Sequence, residues 1–253
     1  MIQFWNGNKT AARQAHEYEL ISKLLNSREI HNNLTDYPNA EDESNIFHKG
    51  ADLLVTVAGN PKFAPETFIE VAPPLCFGLL GCRLLITRKM DVQFDHITQL
   101  ELKQKIAGVP ATWADATLLR DNGCTVLEEG DIEHILTAIS QGNVDYLSLG
   151  ANEVHAVFDQ FKSRFPDLHI HPETMIYYPL PLVFYVSPEQ PELAERLSKC
   201  MRRMYRSGDL LGLLKAHYGE SIQASYLDKK HCVKLDNPAL TEEQNQWPCI
   251  FLS

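Results

Sequence analysis

A repeated alternation of short apolar runs with segments of helical periodicity most constrains the fold of this chain. Residues 51–58 form a nearly continuous apolar run with β-branched residues, as a buried strand of a parallel sheet requires. Further strand-like runs follow at Ile106–Val109 and at 144–149, with apolar residues at helical spacing between them. Strands that alternate with helices predict an α/β fold, in which helices cover the faces of parallel or mixed sheets.

Local capping patterns indicate where two of the helices begin. Thr112, followed three residues later by Asp115, predicts a capping box for a helix over 113–122, which Gly123 ends. A later helix is predicted to start at residues 187–190, with a proline in its first turn. Four apolar residues supply its buried face: Leu193, Leu197, Met201 and Met204.

Composition argues against several classes of function. The formal net charge is −10, with 23 Lys and Arg against 33 Asp and Glu, whereas a nucleic-acid partner requires a basic surface. No apolar stretch reaches the roughly 18 residues that span a bilayer. The longest, residues 71–86, is interrupted by prolines, glycines and Arg83. We therefore expect no nucleic-acid partner and no membrane insertion.

The amino terminus lacks the basic and apolar regions of a secretory signal peptide. Two interpretations follow. The protein is either cytoplasmic, or periplasmic in a mature form that lacks its signal peptide and in which Met1 was placed on the mature domain.

The cysteines show no CxxC or zinc-finger spacing, so we expect no metal site and no cofactor. Four cysteines lie inside apolar patterns typical of core residues: Cys76, Cys82, Cys124 and Cys200. Cys232 and Cys249 lie in a polar tail and are the pair considered for a disulfide. His169, His171 and Glu173 alternate along a strand, as a metal site requires, but an exposed polar strand face is the common explanation and no fourth ligand is indicated.

Two extended segments, residues 79–87 and 175–186, interrupt the α/β series. This collinear order resembles the type II periplasmic solute-binding proteins of the amino-acid family (family 3-like), and four segments carry the resemblance: 50–54, 79–83, 108–115 and 142–146. The chain also resembles an uncharacterised bacterial branch of that superfamily, through 113–115, 122–123, 150–153 and 235–238.

The resemblance implies a two-lobed fold with a mixed or parallel sheet in each lobe and two hinge crossings. Lobe one would comprise residues 1–84 and 182–253, and lobe two residues 85–181. A small ligand would lie between the lobes, which close on it by a hinge motion.

The same resemblance places the ligand-binding residues in loops that follow strands. In lobe one these are Trp5, Asn6, Gly59, Asn60 and Lys62, and in lobe two they are Thr112, Trp113 and Glu153. The N–H groups at a helix start near Thr112 suit an anionic group, a tryptophan can stack on a flat or cationic ligand, and Lys62 supplies a charge.

Amino-acid binders of the resembled family place an Arg after the lobe-one strand and an Asp in the lobe-two loop. Here Lys62 and Gly150 stand at these places, with Glu153 the nearest carboxylate, which disfavours a free amino acid as ligand. Plainer interpretations stay open: Trp113 as a packing residue, Lys62 as a surface lysine, and Arg83 as a structural hydrogen-bond donor.

The leading hypothesis is an extracytoplasmic solute-binding protein that closes on a small polar or anionic ligand for ABC-type transport. The alternative is a ligand-sensing domain that signals to a partner protein. A dehydratase-like enzyme on the same fold is a third hypothesis and would need a carboxylic acid such as Glu153 or Asp115. We expect no catalytic residue.

Overall fold

The computed structural model describes residues 1–25 and 27–252. Asn26 and Ser253, both assigned to the predicted lobe one, lie outside the described residues. The chain divides into two units. Unit one comprises residues 1–77 and 181–219, and unit two comprises residues 78–180 and 220–253. Each unit contains one β-sheet with helices, so the predicted α/β architecture is confirmed.

The strands are β1 (Ile2–Trp5), β2 (Ile30–Asn33), β3 (Leu53–Val57), β4 (Ile69–Val71), β5 (Cys82–Arg88), β6 (Ile106–Val109), β7 (Thr125–Glu128), β8 (Tyr146–Gly150), β9 (Leu168–Tyr177), β10 (Leu182–Val186) and β11 (His231–Lys234). The helices are α1 (Ala11–Leu24), α2 (Ala40–Ser44), α3 (Gln99–Lys103), α4 (Ala114–Asp121), α5 (Ile132–Ser140), α6 (Val154–Asp159), α7 (Pro191–Ser207), α8 (Asp209–Ser225) and α9 (Glu242–Asn245). In the described part of the chain, no helix has the length and hydropathy needed to cross a bilayer.

Unit one is built on a sheet with strand order β2-β1-β3-β10-β4. The first three of these strands are parallel, and β10 runs antiparallel to both of its neighbours. The central strands β3 and β10 are almost wholly buried, which explains why they are continuous apolar runs without alternation. Helix α7 packs on β4 and β10, and its four predicted core residues are all buried.

Unit two is built on a sheet with strand order β11-β9-β5-β8-β6-β7. Strands β6, β7 and β8 are parallel, β5 runs antiparallel to β8 and β9, and β11 is parallel to β9. Helix α5 packs on this sheet with Ile135, Leu136 and Ile139 buried, as its periodicity predicts.

The observed units differ from the predicted lobes at their boundaries and at the carboxyl terminus. The breaks fall at 77/78 and 180/181, and the predicted boundaries were 84/85 and 181/182. Residues 220–253 were assigned to lobe one, whereas they belong to unit two, because β11 adds to the sheet beside β9. Strand pairing between distant segments decides this placement, and local sequence pattern does not report it.

The predicted start of the late helix is wrong by several residues. Ser187 begins a turn, in which its carbonyl accepts from the N–H of Gln190, and helix α7 starts at Pro191. Two prolines, at 188 and 191, satisfy the preference for proline in a first helical turn, and the second is the one that the helix uses.

The close packing of α5 on β6 can be tested at Gly108. A Cβ at this position would lie 2.5 Å from Ile135 Cγ2 and 2.8 Å from Val144 Cγ1. We expect Gly108→Ala to lower the free energy of unfolding by about 1–3 kcal/mol through overpacking. Gly212→Ala is the control, because Gly212 lies in α8 with no atom near its missing Cβ, and alanine favours a helix. Urea unfolding of both variants measures the difference, and equal stability would contradict the packing argument.

Candidate functional site

In each unit, the predicted ligand-binding loops start where neighbouring parallel strands end. In unit one, β1 pairs in parallel with β3, so residues 5–6 and 59–62 follow adjacent strand ends. In unit two, β6 pairs in parallel with β8, so residues 111–114 and 149–153 do the same. Ligands of open α/β sheets bind beyond the carboxyl ends of the strands. Within each unit, the fold therefore brings together the loops selected from the sequence.

The loop after β1 is held firmly by the segment that follows β2. Trp5 is 1% exposed, and its Nε1 donates to the carbonyl of Thr35 at 2.9 Å. Asn8 exchanges two hydrogen bonds with the backbone of Tyr37, each 2.7 Å long. Gly7 permits this approach, because a Cβ there would lie 2.0 Å from the Thr35 carbonyl oxygen. Trp5 therefore supports the loop from inside unit one.

A buried charge cluster lies beside this loop, and the sequence analysis did not identify it. The Glu17 side chain is fully buried and accepts from Lys9 Nζ at 2.6 Å and from Arg13 Nη2 at 2.9 Å. Lys9 also reaches Asn6 Oδ1 at 3.3 Å, and Asn6 donates to the carbonyl of Gln14 at 3.0 Å. Asn6 is thus predicted as a ligand contact and is observed as the link between the loop and α1.

Burial alone would raise the pKa of Glu17, but Lys9 and Arg13 more than offset it and hold the pKa below its usual value. The cluster therefore stabilises the fold at pH values above the unfolded-state pKa of Glu17. This stability is lost as the pH falls through the lower, folded-state pKa.

We expect Glu17→Gln to lower the free energy of unfolding by about 3–5 kcal/mol at neutral pH, because the Lys9 ammonium and the Arg13 guanidinium lose the buried carboxylate that they share. The deficit relative to the unmodified protein should shrink as the pH falls below about 4. Urea unfolding over this pH range measures both effects. Glu19→Gln is the matched control on the same helix, since the Glu19 side chain is 46% exposed. A deficit independent of pH would contradict the assignment.

The loop after β3 is also built from internal hydrogen bonds. Asn60 is buried, donates to Thr56 Oγ1 at 2.9 Å and accepts from the N–H of Lys62 at 3.1 Å. Gly59 adopts a φ of 68° and donates its N–H to the hydroxyl of Tyr185 at 3.1 Å. The Lys62 ammonium lies 2.5 Å from a carboxylate oxygen of Glu43. The predicted cation is therefore already paired within unit one.

In unit two, Thr112 and Trp113 lie at the start of α4. Thr112 is exposed and has a φ of 71°, a costly conformation for a β-branched residue. Its N–H donates to Glu128 Oε1 at 3.2 Å, and Trp113 is the N-cap residue, half-buried, without a side-chain capping bond. The N–H of Thr112, which was predicted to bind an anionic group of the ligand, is thus hydrogen-bonded to the carboxylate of Glu128.

The predicted capping box between Thr112 and Asp115 is wrong. The Asp115 carboxylate instead accepts from Arg83 Nη2 at 2.6 Å and from the Tyr178 hydroxyl at 2.5 Å. Arg83 is 2% exposed and also donates to the carbonyls of Leu80 and Ser148, at 3.3 and 3.0 Å. This supports the structural interpretation of Arg83, and a buried cation outcompetes a capping bond for the same carboxylate.

We expect Asp115→Asn to lower the free energy of unfolding by about 3 kcal/mol, because the buried guanidinium loses its counter-charge. Tyr178→Phe removes one hydrogen bond to the same carboxylate and should cost about 1 kcal/mol. Denaturant unfolding of the two variants compares them directly. Equal costs would show that the ion pair contributes nothing beyond a hydrogen bond.

The loop after β8 contains a buried amide without a partner. Asn152 is 3% exposed, and neither Oδ1 nor Nδ2 has a hydrogen-bond partner within residues 1–25 and 27–252. A Cβ on Gly150 would lie 2.4 Å from Asn152 Oδ1, so a side chain at position 150 would displace the amide. Glu153 is 8% exposed and is the N-cap residue of α6.

The contacts of these loops thus include residues that sequence reasoning missed, namely Lys9, Arg13, Glu17, Glu43 and Asn152. The four-residue spacing of Arg13 and Glu17 on a predicted helix was the available signal for the charge cluster. Nothing local in the sequence indicates the pairing of Glu43 with Lys62 or the burial of Asn152.

The histidine pair on β9 is used internally. The Nδ1 of His171 accepts from the N–H of Thr174 at 3.2 Å, and its Nε2 lies 3.2 Å from Asp95. Among the described residues, no group of three or more His, Cys, Asp or Glu side chains is arranged to hold a metal ion.

Comparison with known proteins gives structural relatives only. No protein-family model matches the chain, and no curated protein matches its sequence. Many solved structures do match.

One is the amino acid ABC transporter substrate-binding protein AbpA of Streptococcus pneumoniae bound to L-arginine, at 15% identity, with 87% of this chain and 95% of that chain covered and a TM-score of 0.56. Another is an arginine transport-system periplasmic binding protein of Legionella pneumophila, at 14% identity, 86% and 99% coverage and a TM-score of 0.59. A third is the periplasmic domain of BvgS of B. pertussis, at 14% identity and a TM-score of 0.60, with 86% of this chain and 43% of that chain covered.

At such low identity these similarities establish the fold, and the ligands named for the relatives remain properties of the relatives. The chain has the type II periplasmic-binding-protein fold, as its sequence order predicts.

Proposed function

We propose that this chain is an extracytoplasmic solute-binding protein that binds a small polar or anionic ligand and delivers it to an ABC-type transporter. One observation carries the proposal: a fold shared with transporter-associated binding proteins, in which both units keep structured loops at the carboxyl ends of parallel strands. Such loops, held on a rigid sheet, bind ligands at a low cost in ordering.

We place the ligand contacts in these loops. Thr112 and Trp113 in unit two and Lys62 in unit one are the side chains that keep accessible surface, and we assign them to the ligand. Trp5, Asn6 and five further positions shape the loops or offer backbone groups: Lys9, Gly59, Asn60, Asn152 and Glu153.

The ligand class follows from what the loops already bind. The Glu43 carboxylate accepts a hydrogen bond from the Lys62 ammonium, and the Glu128 carboxylate accepts one from the N–H of Thr112. An anionic group on the ligand would replace either carboxylate and leave neither the Lys62 ammonium nor the Thr112 N–H without an acceptor. This favours a ligand that carries a carboxylate or a comparable acceptor group.

A thermal-shift screen of amino acids, small carboxylates, polyamines, sugars and short peptides tests the proposal. A ligand at 100 times its Kd stabilises the native state by about 2.7 kcal/mol, which a melting curve detects. We expect a hit among the carboxylate-bearing compounds, and we expect it to be recovered chemically unchanged. Turnover of the compound would support the enzyme hypothesis instead.

We expect Trp113→Ala to reduce the ligand-induced shift by half or more, because the indole contacts the ligand. Thr117→Ala is the matched control: it is exposed on the same helix, three residues beyond the helix start. Calorimetric titration of both variants with the screened compound gives the change in Kd. Equal affinities would remove Trp113 from the site.

The similarity to the BvgS periplasmic domain supports a second candidate, a domain that senses the same ligand and signals to a partner protein. Uptake of the labelled ligand by cells that lack the gene separates the two. Transport predicts loss of high-affinity uptake, whereas sensing predicts unchanged uptake and an altered cellular response to the ligand.

A further inference from the structure

Two cysteine thiols of unit two meet near the carboxyl terminus. The Sγ atoms of Cys82 and Cys249 lie 3.6 Å apart. Cys82 is the buried first residue of β5, and Cys249 is half-buried in the segment that follows α9. They are separated by 167 residues in sequence, so this contact is a product of the tertiary fold.

The backbone next to Cys249 is shaped to receive it. Gly78 has a φ of 83°, and a Cβ at this position would lie 2.6 Å from Cys249 Cβ. A residue with a side chain would therefore push Cys249 away from Cys82.

Cys232, which the sequence suggested as the partner of Cys249, lies two strands away from Cys82 in the same sheet. It lies on β11 opposite Met175, and Cys82 lies on β5 opposite Tyr177, so that β9 separates the two strands. Two interstrand spacings place Cys82 and Cys232 about 10 Å apart, too far for a disulfide between them. Cys249 is thus the common candidate partner, and its sulfur already contacts that of Cys82.

We propose that Cys82 and Cys249 form a disulfide that fastens the carboxyl-terminal segment to the start of β5. This inference rests on one part of the proposed function, the extracytoplasmic location, because that compartment supplies the disulfide-bearing oxidant. Cys249 is the more exposed of the two thiols, and the hydrogen bond with Cys82 lowers its pKa, so Cys249 is the attacking sulfur.

With oxidised glutathione as the oxidant, the Cys249 thiol loses its proton to solvent, and its sulfur attacks one glutathione sulfur and releases one glutathione thiolate. The Cys82 thiol then loses its proton, and its sulfur attacks Cys249 Sγ and releases the second glutathione. Two cysteines are oxidised, one glutathione disulfide is reduced, and the two released thiolates take up the two protons.

Disulfide mapping tests the pairing. The full chain is treated with oxidised glutathione, alkylated and digested with trypsin without reduction. We expect a link between the peptides 63–83 and 235–253. The link should vanish in Cys82→Ser and in Cys249→Ser, and it should persist in Cys232→Ser. Peptide 63–83 also contains Cys76, so the link should persist in Cys76→Ser as well. A link between 231–234 and 235–253, or no link, would overturn the proposal.

Thermal unfolding provides a readout that does not depend on peptide mapping. Oxidation should raise the Tm by about 5 °C or more in the unmodified chain and in Cys232→Ser, because the bond closes a long loop. Cys249→Ser should have the same Tm with and without oxidation. Because Cys249 is only half-buried, this variant can be measured even if Cys82→Ser fails to fold. An unchanged Tm in the unmodified chain would contradict the proposal. No solute is present, so this failure would leave the proposed function untouched.

Discussion

The buried charge of Arg83 is the constraint on which unit two depends. A guanidinium cannot lose its proton under ordinary conditions, so a buried one must find a carboxylate and enough acceptors. Arg83 finds the carboxylate of Asp115 and the carbonyls of Leu80 and Ser148. These contacts connect β5 to the start of α4 and to β8. The positions of both strand-end loops of unit two are therefore linked to one ion pair.

Unit one also contains a buried charge that needs partners of opposite sign, but here the buried group is an anion. Glu17 is a fully buried anion, and two cations converge on it, Lys9 from the loop after β1 and Arg13 from the preceding turn of α1. Lys9 also contacts Asn6, so the cluster fixes the loop that follows the first strand. In both units, a buried ionic group sits beside the predicted ligand-binding loops and orders them before any ligand arrives. Loops ordered in advance lose less conformational entropy on binding.

Much of the fold could be predicted because it depends on local periodicity. The apolar run that became β3 lies where the sequence indicates, and the four apolar residues predicted for the buried face of α7 are buried. β2 was missed, since its sequence, Ile30-His31-Asn32-Asn33, has neither alternation nor an apolar run, and pairing with β1 alone makes it a strand. The place of β11 was missed for the same reason, because pairing with β9 decides it.

The site shows the same division between local and tertiary information. The loops could be found from strand ends, and they lie at the expected edges of both sheets. The role of Asp115 could not be predicted, because a Thr-x-x-Asp pattern fits a capping box. Arg83, which binds the Asp115 carboxylate, is 32 positions away in sequence. Similarly, Cys249 has Cys232 as its nearest cysteine in sequence and Cys82 as its contact in the structure.

Hydrogen–deuterium exchange with and without the compound identified in the solute screen tests the central claim most directly. If the strand-end loops bind the ligand, exchange should slow at residues 5–9, 59–63, 111–115 and 149–153 and stay unchanged on the outer face of α7 and on α9. Protection confined to other segments would contradict the assignment of the ligand to these loops.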